Sequence, residues 1–240
     1  MFRHRGKRRK HKHNIYLASL LSFVAGLVNV SGVIALGTLT TNVTGHFAYG
    51  VEAFTNATYL KAFSYFLYIQ FFLLGAFSSN FIVELALLKK LKNPSVYPIF
   101  LEISILVLLA IIWPIQPISI LIKHIMACAL LFAMGSQNAL VTKISDSLVR
   151  TTHLTGLFTD LGIELSQLFF FRQPEQKAKL KQSIHLRSMI ITFFFLGCLV
   201  GGVVFPFINS NTLLLAAGCL LIAASFDTIR YRYLLFKRVT

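Results

Sequence analysis

Six long apolar runs restrict what this chain can fold into. They cover residues 15–36, 62–88, 97–113, 119–141, 188–208 and 212–229, and each is long enough to cross about 30 Å of hydrocarbon as a helix. The chain is 56% hydrophobic and only 13% charged, whereas a soluble domain carries about 25% charged residues. The sequence therefore predicts an all-α polytopic membrane protein with about six transmembrane helices.

The basic residues have the distribution that is typical of membrane proteins. The net charge of +15 alone would suggest a nucleic-acid partner, but seven of the 23 Lys and Arg residues lie within the first 13 positions. Most of the others lie between apolar runs, as the positive-inside rule describes. We expect the lipid bilayer as partner, with anionic headgroups at the basic tail, and no nucleic acid. The sequence makes no prediction of the oligomeric state.

One pattern occurs twice, at residues 29–52 and 138–164. Each copy begins with an Asn, crosses a Thr- and Ser-rich stretch and reaches a Thr-Gly pair, then a second Gly and a Glu. A repeat at this spacing indicates two structural halves rather than a solenoid. The helix-like Thr-Gly segments, residues 43–57 and 153–171, are apolar enough to enter a membrane but are short or polar.

Loop charge favours six spans with two broken or re-entrant Thr-Gly segments. In this threading the basic clusters at 89–92 and 172–187 lie on the cytoplasmic side with both termini. If the Thr-Gly segments span fully, eight helices result and the cluster at 89–92 lies outside. The first threading predicts two inverted repeats, residues 15–118 and 119–230, between basic cytoplasmic tails at 1–14 and 231–240. Many secondary transporters have this construction.

The Thr-Gly pairs are candidates for a central solute site. The glycines allow a sharp turn or a close approach, and the threonines are suitable N-caps. Free N–H groups at two facing helix N-termini would attract an anion or a carbonyl-rich solute. The alternative is close helix packing through small residues. The predicted substrate-binding residues are Asn29, Thr44, Gly45, Gln137, Asn138, Thr155 and Gly156.

Three carboxylates are candidates for ion or proton coupling. Glu52 and Glu164 occupy equivalent places in the two copies, and Asp160 precedes Glu164 by one helical turn. Carboxylates inside a membrane are costly and usually functional. The alternative is an interfacial position, solvated or paired with a cation such as Arg172. For Glu102, near the start of its span, we expect the interfacial position.

No catalytic or metal site is predicted. The three cysteines lie inside apolar runs without metal-ligand spacing, and they are expected to be buried apolar residues. The sequence has no serine-hydrolase elbow, zinc-protease motif or P-loop. We therefore expect a protein that is not an enzyme and has no cofactor.

Three segments resemble the YoaK family of bacterial membrane proteins, which is defined by a domain of unknown function. They are AGLVNVSGVIALG with NVTGHFAYG (25–50), AMGSQNAL (133–140) and THLTGLFTDLG (152–162). The first copy differs from the family pattern, because Thr44-Gly45 is followed by His46 instead of Asn. The resemblance covers about residues 15–230 and implies a polytopic protein of a bacterial cytoplasmic membrane. It implies no substrate or reaction.

Two classes of function remain open. The first is a secondary transporter or channel for a small solute, with anions among the candidates, in which the Thr-Gly helices form the site. The second is a non-transporting scaffold or assembly protein in which the Thr-Gly motifs only pack helices.

Overall fold

The structure, a computed structural model, describes the backbone of residues 11–113 and 119–236, and the side chains of these residues except 13 and 226–236. The described residues form eight α-helices and one 3-10 turn, Asn209–Asn211, and contain no strand. The helices are α1 (His11–Leu36), α2 (Val43–Thr55), α3 (Tyr59–Leu88), α4 (Val96–Ile112), α5 (Ile120–Ser145), α6 (Leu154–Phe170), α7 (Pro174–Ile208) and α8 (Thr212–Phe236). The all-α fold class is confirmed.

The six apolar runs coincide with α1, α3, α4, α5, α7 and α8. Four stretches of the described chain are long and apolar enough to cross a membrane, namely Asn14–Leu36, Tyr59–Leu88, Ile120–Ser145 and Pro174–Ser225. The last stretch contains all of α7 and the first half of α8, and α4 is apolar but shorter. The chain is therefore a polytopic helical membrane protein.

Several helices extend beyond the apolar runs that predicted them. The basic segment between the second Thr-Gly motif and the fifth run, expected as a loop, forms the first turns of α7. Its Pro174 stands at the first helical position, where the missing N–H is not needed. α1 begins at His11 and α8 continues to Phe236, so both helices reach into the predicted tails. The rest of those tails, at 1–10 and 237–240, and residues 114–118 beside the predicted repeat boundary lie outside the described residues.

The four longest helices associate in two equivalent pairs, each through a Phe-x-x-Gly motif. The motifs are 23–26 in α1, 72–75 in α3, 132–135 in α5 and 194–197 in α7. Within each pair the contact is reciprocal: a Cβ on either glycine would overlap the carbonyl oxygen of the partner's phenylalanine. α1 pairs with α7 in this way, and α3 pairs with α5. Such close backbone approach is typical of membrane helix interfaces.

The helices within each pair are parallel, and the two pairs run in opposite directions. The ring of His11 lies 6.2 Å from that of His185, between centroids, and Gly201 lies against Val30, so α1 and α7 run in the same direction. Along α3 and α5, Tyr68 contacts His124 and Glu84 contacts Lys143.

One hydrogen bond relates the directions of the pairs. Ser210, in the turn after α7, donates to the carbonyl of Ala110 at 3.2 Å. Ala110 lies at the end of α4, from which the chain continues to α5. α7 therefore ends where α5 begins, and the halves are antiparallel, as in inverted-topology repeats. The basic clusters after α3 and at the start of α7 consequently lie at the same end of the bundle.

Candidate solute site at the two interrupted helices

The chain after α1 folds back along the helix it has just left. Gly37 has a φ of +70°, a conformation that glycine adopts without strain. The returning segment binds Asn29, two turns inside α1, whose Oδ1 accepts from Thr40 N and Thr41 Oγ1, both at 3.0 Å. α2 then starts at that depth and runs antiparallel to the first half of α3, with His46 beside Tyr68 and Phe54 beside Tyr59. Asn29 thus fixes the point at which α2 begins.

The threonines of the Thr-Gly pairs are not N-caps, which corrects the expectation from sequence. The N-cap of α2 is Asn42, whose Oδ1 accepts from Gly45 N at 3.1 Å. At α6 the N-cap position is held by His153, which makes no side-chain cap bond. Thr44 and Thr155 lie inside their helices with exposed side chains. Because Asn42 occupies the Gly45 N–H, α2 offers less to an anion than the sequence suggested.

The two glycines of these pairs share one local role. The nearest neighbour of a Cβ on Gly45 would be the Asn42 side chain, at 3.2 Å, and the nearest neighbour of one on Gly156 would be the His153 ring. Each glycine therefore makes room for the side chain three positions earlier, which folds over the first helical turn. A Cβ on the glycines of the Phe-x-x-Gly motifs would, in contrast, lie nearest to the backbone of another helix.

Buried polar atoms without a protein partner lie before both interrupted helices. The motif is Thr-Thr-x-x-Thr-Gly in both copies, at 40–45 and 151–156, and its first threonine is 0% exposed in each. The hydroxyls of Thr40 and Thr151 have no hydrogen-bond partner. A buried hydroxyl without a partner costs about 1–3 kcal/mol. Sequence reasoning treated these threonines as part of a polar stretch, although their equal spacing from the Thr-Gly pairs is visible in the sequence.

Gln137 and Asn138 of α5 add two unpartnered acceptor atoms. Gln137 is 1% exposed, and its Nε2 donates to Leu21 O of α1 at 2.9 Å. Its Oε1 and the Oδ1 of Asn138 are buried without a partner. Asn138 is equivalent to Asn29, whose Oδ1 is occupied. The free atoms at these two residues are acceptors, so they would receive a hydrogen bond from a solute N–H or O–H.

The three candidate coupling carboxylates do not share one environment. Arg187 of α7 donates from Nη1 to Asp160 Oδ2 at 2.7 Å and from Nε to Glu164 Oε2 at 3.0 Å. Ser183 Oγ donates to the other oxygen of Glu164 at 2.6 Å. These contacts pin α6 against α7 and identify Arg187, rather than the nearby Arg172, as the cation. Glu52 is exposed on α2.

Glu102 is the carboxylate that the sequence placed wrongly. It was expected at an interface, but it is 1% exposed in α4, and its Oε1 has no partner. Its neighbours along the buried face of α4 are Ile99 and Leu106. No local pattern distinguishes this residue, because only the packing of α4 on α5 and α8 covers it.

The two halves carry different chemistry at equivalent positions. Alignment on the Thr-Gly pairs matches His46 with Leu157 and Tyr49 with Asp160. Alignment of Gly75 with Gly197 matches Tyr65 with Arg187 and Tyr68 with Ile190. The ring contact of Tyr49 with Tyr65, at 5.7 Å between centroids, thus takes the place of the Asp160–Arg187 ion pair.

The sequence matches a protein family whose function is unknown. A family profile described as "Protein of unknown function (DUF1275)" matches residues 17–226. The chain belongs to this family. The matched range runs from α1 into α8 and includes both interrupted helices of this DUF1275 protein. No curated protein and no solved structure matches it.

Proposed function

We propose that this protein is a secondary transporter for a small polar solute, with its site at the segments that precede α2 and α6. The observation that carries the proposal is the pair of fully buried, unpartnered hydroxyls at Thr40 and Thr151. Their equivalent positions argue against an isolated packing defect. A solute bound at these segments would supply the missing hydrogen bonds, and sites where inverted repeats meet are typical of secondary transporters.

The inverted order of the helices supports transport over the scaffold alternative. A protein that only packs helices would use the Thr-Gly glycines at helix interfaces, but the atoms nearest to a Cβ on Gly45 or Gly156 are side-chain atoms of the same segments. The free acceptors at Gln137 and Asn138 favour a solute with hydrogen-bond donors over a simple anion. Glu102, rather than Glu52, Asp160 or Glu164, has the burial that proton or ion coupling in a membrane requires.

The proposal includes the location of the protein. The basic clusters at the ends of α3 and α7 share one end of the bundle, and the positive-inside rule assigns that end to the cytoplasm. Both termini would then be cytoplasmic, in the cytoplasmic membrane of a bacterium, as the resemblance to the YoaK family implies. Cysteines placed at Lys90 and Lys177 should react with an impermeant thiol reagent only from the cytoplasmic side. Labelling of either one from outside would contradict this orientation.

Uptake into proteoliposomes tests transport. The purified full chain is reconstituted and challenged with panels of amines, amino acids, polar neutral solutes and organic anions. The variant with Thr40→Val and Thr151→Val should lose most of the uptake while remaining as stable as the wild type, since it loses no protein hydrogen bond. The matched control, Thr44→Val with Thr155→Val, changes exposed threonines of the same motifs and should keep its uptake.

Two results would overturn the proposal. One is the absence of uptake for every panel in protein that is shown to be folded. The other is loss of uptake in the control variant together with normal uptake in the Thr40 and Thr151 variant.

A further inference from the structure

The first half contains a ring cluster that the second half lacks. His46 of α2 lies 5.8 Å from Tyr65 and 5.3 Å from Tyr68 of α3, measured between ring centroids. Tyr65 and Tyr68 are themselves edge to face at 5.8 Å. Tyr68 Oη and His124 Nδ1 of α5 share a hydrogen bond of 2.5 Å. Three helices therefore hold these rings at the start of α2.

His46 presents a free acceptor inside this cluster. Its Nε2 lies 2.8 Å from Leu39 O, and because a carbonyl only accepts, Nε2 carries the proton of the neutral ring. Nδ1 is then an acceptor, and it is buried without a partner in a residue that is 1% exposed. Leu39 directly precedes Thr40, so His46 is hydrogen-bonded to the segment that carries the unpartnered hydroxyl.

We infer that His46, Tyr65 and Tyr68 bind the N–H group of a small organic ammonium ion. Nδ1 accepts the hydrogen bond, and the tyrosine rings attract the positive charge through their faces. The inference rests on the proposed function, because it assigns this ion as the solute of that site.

The cluster extends to the surface of the protein through a fourth ring, Tyr49 of α2. Tyr49, which contacts Tyr65, is 48% exposed, whereas Tyr65 is partly buried and His46 is fully buried. The rings thus form a continuous series from the surface to the free acceptor. In the second half the same positions hold an ion pair and two aliphatic residues, so the ammonium group binds at one half only.

Binding of four probes to the full chain in detergent tests the site. Trimethylammonium has a charge and one N–H, tetramethylammonium has the charge but no N–H, tert-butanol has a donor but no charge, and acetate is an anion. Trimethylammonium should bind most tightly. Tetramethylammonium should bind at least about tenfold more weakly than trimethylammonium, since it cannot donate a hydrogen bond to Nδ1. Tert-butanol, which has no charge, should bind at least about threefold more weakly than trimethylammonium.

Substitutions locate the binding. His46→Leu introduces the residue that the second half has at this position, Leu157, and should remove the preference for trimethylammonium over tetramethylammonium. Tyr65→Leu should weaken both cations together, whereas Tyr65→Phe keeps the ring and should keep the binding. Tyr97→Leu, on α4 and outside the cluster, is the control. If His46→Leu does not fold, the probe series on the wild type and the Tyr65 variants still decide the question.

The outcomes separate this inference from the proposed function. Equal binding of trimethylammonium and tetramethylammonium, or an unchanged preference in folded His46→Leu, would overturn the site. Tighter binding of tert-butanol or acetate than of trimethylammonium would overturn the ligand class. Binding as expected without uptake of any amine would leave the site intact and overturn the transport role. Uptake of other solutes without amine binding would support the transport role and overturn the proposed ammonium site.

Discussion

The reciprocal glycine contacts provide a sharp test of the helix pairing. Gly75→Ala would place a Cβ against the carbonyl of Phe132, and Gly135→Ala would place one against the carbonyl of Phe72. A carbonyl cannot rotate away like a side chain, so α3 and α5 must separate. Such overpacking costs about 1–3 kcal/mol. The better helix propensity of alanine stabilises the helix by at most about 1 kcal/mol, so each substitution should destabilise the protein.

Two glycines in open space are matched controls. A Cβ on Gly162 in α6 or on Gly218 in α8 would meet no atom within 4 Å. Gly162→Ala and Gly218→Ala should therefore leave stability unchanged or raise it by up to about 1 kcal/mol. The prediction is thus a difference in sign between chemically identical substitutions, which a general effect of alanine in a membrane helix cannot produce.

Double variants show whether the glycines act in pairs. The same separation of α3 and α5 relieves the steric overlap caused by Gly75→Ala and the one caused by Gly135→Ala. The destabilisation of the double variant should therefore be clearly smaller than the sum of the two single values. Gly26→Ala with Gly75→Ala affects two different interfaces and should be nearly additive. Free energies of unfolding from reversible SDS titration in mixed micelles give both quantities. Equal effects of Gly75→Ala and Gly218→Ala, or full additivity within the α3–α5 pair, would refute the reasoning.

Two further predictions concern charged groups at the basic end of the bundle. Arg187→Met should destabilise the protein by about 1–3 kcal/mol, because Glu164, whose side chain is only 13% exposed, loses its cation. Lys143→Met removes the cation of a half-exposed ion pair and should cost about 0–1 kcal/mol. Equal costs of the two substitutions would contradict this account. Burial and the neighbouring His185 lower the pKa of His11 in the folded protein. As pH falls, His11 is therefore protonated in the unfolded chain before it is protonated in the folded one, and the stability of the protein should fall below about pH 6.5. Thermal unfolding between about pH 7.5 and 5 should show a smaller loss for His11→Gln, and identical profiles would exclude a contribution of His11.

The sequence predicts the helices well, because apolar length is a local property. Each of the six runs matches one helix to within one residue or lies inside it, and the Thr-Gly segments predicted at 43–57 and 153–171 closely match α2 and α6. The starts of α1 and α7 were misplaced because their first turns are basic. In an α-helix those turns need only backbone hydrogen bonds, which polar residues also form, so hydropathy marks the apolar part and not the helix end.

The sequence predicted the two interrupted helices but not the contacts of the side chains around them. Asn42 caps α2, although the sequence suggested Thr44 of the Thr-Gly pair as the N-cap. The cap residue depends on where the chain that returns along α1 leaves Asn29. The partner of Glu164 is Arg187, which is distant in sequence and becomes a neighbour only because α6 folds back on α7. The burial of Glu102 likewise depends on three helices that the sequence alone does not place.

The halves differ most where the proposed chemistry lies. Both keep the Phe-x-x-Gly contacts and the buried threonine, which set the packing and the interrupted segment. The hairpin of α6 and α7 is held by Arg187 and two carboxylates, whereas the hairpin of α2 and α3 is held by rings whose contacts are weaker and less directional. If the α2–α3 hairpin moves to admit a solute, its opening separates aromatic rings and breaks none of the ion pairs described above. The free acceptor of His46 lies in that hairpin, so binding and opening would involve the same rings.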